Sequence, residues 1–93
     1  MIRMVVLYES EPDEERYRRH IDEFGVKVEC DAFRHGKVFG SPFDKPAFGY
    51  YAEFEWSDME SFKGASRSEE FAASGKDAME MGIPFTATFV EFA

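Results

Sequence analysis

His20 is a candidate for proton transfer, because imidazole titrates near neutral pH and this residue lies within a predicted helix. Neighbouring positions at helical spacing form an apolar stripe of Tyr17, Ile21 and Phe24. At the edge of that stripe the imidazole either faces a pocket as a general acid or base, or lies at the boundary paired with Glu9 or Glu23. His20 is therefore our candidate catalytic residue.

The basic run 34–37, with the sequence RHGK, contains the second histidine of the chain. Such a run is either the solvated end of a strand or a site for an anionic substrate group. In the second case the planar guanidinium of Arg34 would bind a carboxylate through two hydrogen bonds. Arg34 is therefore a candidate substrate-binding residue.

Three aromatic side chains are further candidates for substrate binding: Tyr8, Tyr50 and Trp56. The two phenols either orient a phenolic or carbonyl substrate from an apolar wall or anchor packing through their hydroxyls. Trp56 either belongs to the core or forms a stacking platform for a planar ligand. Because 11 residues of the chain are Phe, we predict an aromatic-walled pocket that takes a small hydrophobic or aromatic compound.

The spacing of metal-ligating residue types does not indicate a metal centre. His20, Cys30 and His35 lack the i, i+4 or C-x-x-C spacing of zinc ligands, and the carboxylates lack the order of an EF-hand. Cys30 lies between Glu29 and Asp31, whose charges oppose the lowered pKa that a nucleophilic thiol requires. We therefore expect neither a metal nor a cofactor.

Length and charge restrict the classes of protein to which the chain can belong. Its 93 residues predict one domain, 1–93. With 19 acidic and 11 basic residues the net charge is −8, which repels phosphate backbones and anionic membranes, so we expect no nucleic-acid or membrane partner. No apolar run approaches the roughly 20 residues of a membrane span, and one cysteine cannot form an internal disulfide. These features predict a cytoplasmic protein.

Hydrophobic periodicity divides the chain into strands and helices. Strands are predicted over 2–8, 26–39, 48–56 and 85–92, and helices over 13–24, shortly after 57, and over 68–81. Asp13 and Ser57 are the predicted N-caps of the first two helices, and Ser57 opens a capping box. Gly25 and Gly82 are expected to end the first and last helices, and Gly36 to mark a bulge or a bend.

The resulting order is β-α-β-β-α-β, with the second helical region broken into two pieces. This order is typical of the α+β ferredoxin-like fold, in which helices cover one face of an antiparallel sheet. The other face would be uncovered in a monomer, and a second sheet packed against it would bury its apolar residues. We therefore predict a homodimer of two sheets paired face to face.

The chain resembles the EthD family, a branch of the dimeric α+β barrel proteins. Four runs carry the resemblance: Val5–Tyr8 with Pro12, Arg19–Glu23, Tyr50–Ala52 leading into Ser57–Glu60, and Asp77–Glu80 leading to Phe85. It covers nearly the whole chain and implies a homodimer with a small-molecule pocket between the sheet and the helices of each protomer. Relatives include enzymes that act on aromatic polyketides or other small organic compounds, often without a metal or an organic cofactor.

The resemblance departs from the family pattern at the end of the first helix. His20 matches the first position at which the family often has a histidine, whereas Gly25 and Lys27 stand where a second histidine and a proline are expected. Two hypotheses follow. The protein is a cofactor-independent enzyme in which His20 is the acid or base and Tyr8 and Tyr50 orient the substrate, or it is a non-catalytic ligand-binding or accessory dimer. A dimer with no ligand is a third alternative.

Overall fold

The computed structural model describes all residues, 1–93, and contains one antiparallel sheet of four strands in the order β2-β3-β1-β4. The strands are β1 (Ile2–Tyr8), β2 (Ala32–Lys37), β3 (Tyr50–Trp56) and β4 (Phe85–Glu91). Central β1 pairs with β3, placing Ile2 opposite Trp56, and with β4, placing Tyr8 opposite Phe85. The predicted ferredoxin-like α+β fold is confirmed.

Three helices cover one face of this sheet: α1 (Glu14–Glu23), α2 (Met59–Ser66) and α3 (Glu69–Glu80). The predicted break between α2 and α3 is confirmed. Ser68 accepts a hydrogen bond from the Phe71 amide and so caps α3 directly after α2 ends. The helices are all too short and too polar to cross a membrane.

The structure corrects the predicted start of α2. Its N-cap is Asp58, whose carboxylate accepts a 2.8 Å hydrogen bond from the Ser61 amide, and this bond holds the pKa of Asp58 below its usual value. The Ser57 amide instead donates to Asp31 at 2.6 Å. A carboxylate at the cap also interacts favourably with the positive end of the helix dipole. Asp13 caps α1 as predicted.

The segment after α1 differs most from the prediction. Gly25 does not end the helix in a left-handed conformation; Phe24 caps α1, and Gly25–Lys27 form a 3₁₀ turn that buries Val28. Extended structure therefore starts only at Ala32. Gly36 pairs in unbroken register opposite Tyr51, so it marks no bulge. Gly82 does end α3, with a φ of 78°.

The core lies between the sheet and the helices, in two clusters of buried side chains. One surrounds Trp56, which is 1% exposed and whose indole N–H donates to the Glu29 carbonyl at 2.8 Å. The other surrounds Tyr8, which is 2% exposed and contacts Tyr17 edge to face. Side chains from both clusters line the cavity described below.

The face of the sheet that carries no helix, here called the open face, has a network of ion pairs. Arg3 contacts Glu55 at 2.9 Å, and Arg34 contacts Glu53 at 2.7 Å. The Tyr51 hydroxyl donates to Glu53 at 2.9 Å. Partly exposed apolar side chains share this face with the network: Val5, Leu7 and Val90.

Candidate functional site

A cavity of about 530 Å³ lies between the helix-covered face of the sheet and helices α1 and α3. Of its 19 lining residues, 15 are hydrophobic, and the sheet contributes Met4, Val6, Phe33, Phe54, Phe85 and Phe89. On β4 the helices leave this face uncovered, since Ala87 and Phe89 remain exposed although they point to the helix side. The cavity therefore opens to solvent beside β4, and its volume is in the range that holds a small organic ligand.

His20 is the main titratable group in the cavity wall, and a buried carboxylate fixes its ring. Its Nδ1 lies 2.7 Å from Oδ2 of Asp77, which α3 supplies. Arg16, one turn before His20, donates two hydrogen bonds to the same carboxylate, at 2.8 and 3.0 Å. His20 and Asp77 are 5% and 7% exposed, so α1 and α3 are joined here by a cluster in which the buried Asp77 carboxylate contacts both Arg16 and His20.

The protonation of this cluster follows from its contacts. The hydrogen bonds from Arg16, followed by the one with His20, hold the pKa of Asp77 below its usual value, so it is a carboxylate near neutral pH. An ionised carboxylate only accepts hydrogen bonds, so Nδ1 of His20 carries the proton. Nε2 has no partner in the chain and is not sealed from solvent. In the neutral ring it is therefore an unpaired acceptor, on a side chain that lines the cavity.

Two phenols lie beside His20. Tyr17 packs against it with ring centroids 5.7 Å apart, and Tyr8 packs edge to face on Tyr17 at 5.9 Å. Burial raises the pKa of Tyr8 to about 12 and also raises the pKa of Tyr17. Both hydroxyls therefore stay protonated at neutral pH, and they can donate hydrogen bonds to a ligand oxygen.

The crystal structure of an ethyl tert-butyl ether D (EthD) family protein from Bacillus halodurans matches this fold. The TM-score is 0.78 at 27% sequence identity, over 100% of this chain and 99% of that one. This chain resembles the EthD family in fold and in sequence over its whole length. The predicted family resemblance is thereby confirmed.

Two further structural matches show the fold alone, because their sequence identity is low. One is a dimeric ferredoxin-like protein from a Jannaschia species, with a TM-score of 0.72 and 13% identity over 98% of each chain. The other is a hydroxynitrile lyase from Passiflora edulis, with a TM-score of 0.68 and 15% identity over 99% of this chain and 94% of that one. Neither a protein-family model nor a curated protein matches the chain.

In this EthD-like chain, the predicted site residues lie in three separate places. His20 and Tyr8 line the cavity. Trp56 and Arg34 do not: Trp56 is in the core at the other end of β3, and Arg34 is on the open face, paired with Glu53. The structure thus brings together only two of the predicted residues at the cavity.

Tyr50 lies in a second, polar cleft of about 460 Å³, where its hydroxyl is 2.7 Å from Nδ1 of His35. The carboxylates of Glu11, Glu14 and Asp22 also line this cleft. Tyr17 separates it from the cavity, since it contributes to the walls of both. Tyr50 is therefore one side chain removed from His20, and it does not line the cavity.

Sequence reasoning missed the partner of His20. The carboxylates that it considered, Glu9 and Glu23, lie near His20 in sequence, whereas Asp77 is 57 positions away. A signal for Asp77 was present, because it shares one helical stripe with Ser74, Ala78 and Met81, which places a carboxylate on an inward face. A buried carboxylate requires a partner, and His20 and Arg16 supply it.

Cys30, the only cysteine of the chain, lies outside the cluster of Arg16, His20 and Asp77. Burial and the neighbouring Asp31 raise the pKa of the Cys30 thiol, so this residue has the electrostatics of a structural cysteine. The chain brings no three of its His, Cys, Asp and Glu residues close enough together to hold a metal ion.

Proposed function

We propose that the protein binds a small apolar or aromatic organic compound in the cavity and that His20 acts on it as a general base and acid, without a cofactor. One observation carries this proposal: His20, which lines an aromatic cavity of about 530 Å³, is held by the buried Asp77 through Nδ1, and its second ring nitrogen has no partner in the chain. A carboxylate that orients an imidazole is the arrangement used in acid–base catalysis on many unrelated folds.

The chemistry follows from the groups in the wall. Nε2 of His20 takes a proton from a bound substrate, and the Asp77 carboxylate stabilises the imidazolium through the Nδ1–H bond. Tyr8, which is protonated at neutral pH because of its raised pKa, donates a hydrogen bond to the substrate oxygen on which negative charge develops. The proton returns from Nε2 to the product. The reaction class supported is therefore proton transfer next to a carbonyl or hydroxyl group.

The alternative is a binding module that uses the same cavity without chemistry. The residues at the end of α1 favour this alternative. The two positions there are a glycine buried against Ile21 and an exposed lysine, Gly25 and Lys27, so neither supplies a second imidazole beside His20. The hydroxynitrile lyase from Passiflora edulis is an enzyme with this fold, but function depends on the site and not on the scaffold.

A deuterium-exchange experiment separates the two functions. 2-Tetralone is an aromatic ketone with exchangeable protons next to its carbonyl, and NMR in D₂O follows their loss. We expect the protein to bind it and accelerate exchange, and His20→Gln to lower the rate by about 10²- to 10⁴-fold, the usual contribution of a general base. The matched control His35→Gln should leave the rate unchanged. Binding without accelerated exchange would favour the non-catalytic alternative.

We also propose that two copies pair through the open face as a homodimer. Two observations support this: the partly exposed apolar side chains Val5, Leu7 and Val90 on that face, and the dimeric description of the Jannaschia protein. Light scattering at micromolar concentration should give twice the chain mass of 10.7 kDa; a single-chain mass would contradict the pairing. The cytoplasmic location stays a prediction, as does the lack of a nucleic-acid partner, which the net charge of −8 supports.

A further inference from the structure

The charges around the cavity differ from those of the rest of the molecule. The chain contains 19 acidic residues and has a net charge of −8, yet none of the 19 residues that line the cavity is an aspartate or a glutamate. The only permanently charged side chain in the lining is Lys76. The wall is therefore apolar with one positive group, in a protein whose surface is mostly negative.

Lys76 is placed at the cavity by the helical period of α3. It shares one stripe with Ala72, Gly75 and Met79, at the spacing i, i+3, i+4 and i+7, and all four line the cavity. The small side chains of Ala72 and Gly75 leave room beside it, since a Cβ built on Gly75 would meet no atom within 4 Å. The exposed position of Lys76 puts its ammonium group at the solvent side of this space.

The ammonium group of Lys76 is not neutralised within the chain. Glu80 lies one turn further along α3, at the spacing that often pairs with a lysine, but the ion pairs of the molecule do not include Lys76. Arg16, a cationic side chain close to His20, differs from Lys76 in this respect because it forms an ion pair with Asp77. A free cation at the mouth of an apolar cavity is suited to a ligand that is apolar with one anionic end.

We propose that the cavity selects apolar monoanions, in particular aromatic or aliphatic carboxylates, and that Lys76 is the residue that determines this specificity. The inference rests on the proposed function, because it names the substrate class of the same cavity. The carboxylate end lies at Lys76, the apolar body fills the space between α3 and β4, and the part of the ligand nearest α1 meets His20.

The size of the preference follows from the exposure of the ion pair. A solvent-exposed pair of this kind is screened by water and by salt. We therefore expect an anionic ligand to bind about fivefold more tightly than a neutral ligand of the same shape at low ionic strength. The preference should fall towards equality at about 0.5 M salt, where the Debye length is only a few ångströms.

Three naphthalene compounds of similar shape test the proposal: 2-naphthoate, 2-naphthamide and 2-naphthylmethylammonium. Calorimetry gives the affinities, and the methyl NMR signals of Ala78 and Met79 locate the ligand in the cavity. We expect the order naphthoate, then amide, then ammonium. Equal affinity of the three for the cavity would overturn the specificity while leaving the proposed function intact. Failure of all three to bind would overturn both.

Two substitutions assign the preference to Lys76. Lys76→Gln should abolish the advantage of naphthoate over naphthamide without changing the affinity for the amide, and Lys76→Glu should make the ammonium compound the tightest ligand. The matched control is Lys63→Gln, because Lys63 is an exposed lysine on α2 outside the lining, and it should keep the wild-type order. A wild-type order in both Lys76 variants would contradict the role of this residue.

Discussion

Asp77→Asn is the substitution that most directly tests the ionic cluster beneath the cavity. The asparagine has nearly the same shape as the aspartate, so the change removes the negative charge and replaces one acceptor oxygen with an amide donor. In the Oδ1 position that donor faces Nη2 of Arg16, and in the Oδ2 position it faces both Nη1 of Arg16 and Nδ1 of His20. At least one of the three hydrogen bonds to Asp77 therefore becomes a contact between two donors.

The expected loss of stability can be worked out from the contacts. Hydrogen bonds to charged groups contribute about 1.5–3 kcal/mol each, and removal of one partner of a buried ion pair costs about 3–5 kcal/mol. Two features reduce the cost here: Arg16 keeps 23% of its side chain in water, and an asparagine oxygen in the Oδ2 position still accepts two of the three bonds. We expect Asp77→Asn to lower the free energy of unfolding by about 2–3 kcal/mol, which is roughly 10–20 °C in Tm for a chain of this size.

Urea unfolding followed by the fluorescence of Trp56 is a suitable assay, because Trp56 is the only tryptophan and is 1% exposed. All variants are compared at one chain concentration, since dimerisation would couple stability to concentration. Asp22→Asn is the matched control: Asp22 is an exposed carboxylate on α1 that forms no ion pair, and its loss should change stability by less than about 0.5 kcal/mol.

The pH dependence provides a second test of the same variant. The pKa of Asp77 is lower in the folded protein than its ordinary value of 3.8, so its contribution is present above that value and is lost as the pH falls through the folded-state pKa. The stability gap between wild type and Asp77→Asn should therefore be widest near pH 7 and should begin to close below about pH 4. A gap that is absent at pH 7, or equally large at pH 3, would refute the reasoning.

Two further predictions concern α3 and the phenols. Gly75→Ala should raise the free energy of unfolding by about 0.5–1 kcal/mol, because the added methyl group meets open space. Gly82→Ala should lower the free energy of unfolding in the same urea assay, since Gly82 has a φ of 78°. A lower free energy of unfolding in both variants would contradict this reasoning. Burial raises the pKa of Tyr8 to about 12 and that of Tyr17 as well, above their ordinary value of 10.0, so this stabilisation is complete below about pH 10 and is lost as the pH rises further. Absorbance at 295 nm should therefore show these two phenols ionising only as the circular dichroism of the fold disappears, and ionisation of all four tyrosines near pH 10 in intact protein would argue against burial of the pair.

The sequence pattern predicted β1, β3 and β4 well because each of these strands carries its own local evidence. In β3, Tyr50, Ala52, Phe54 and Trp56 alternate with more polar residues, so the face they share follows from local spacing alone. Position along a strand is harder to use. Trp56 shares a face with Phe54, which lines the cavity, but Trp56 is packed in the core with its indole N–H on the Glu29 carbonyl, so it does not line the cavity.

The site was less predictable because its residues meet only through tertiary packing. Local periodicity placed His20 at the edge of a helical stripe, but it contains no information on which part of α3 would lie against α1. Asp77 and Lys76 are neighbours in sequence, and a rotation of 100° around α3 gives them different surroundings. One is buried against His20, whereas the other lies at the mouth of the cavity. That difference follows from the orientation of α3 against α1 and the sheet.

The network on the open face has a consequence for self-association. A two-fold axis sets a surface against an identical copy of itself, so any net charge on that surface would repel its own image. Arg3 and Arg34 balance Glu53 and Glu55 within each chain, which leaves this face neutral while the molecule as a whole carries −8. Both arginines also hold the pKa of Glu55 below its usual value, so this carboxylate keeps its charge in mildly acidic solution. The excess negative charge lies on the remaining surface, where it discourages association beyond a pair.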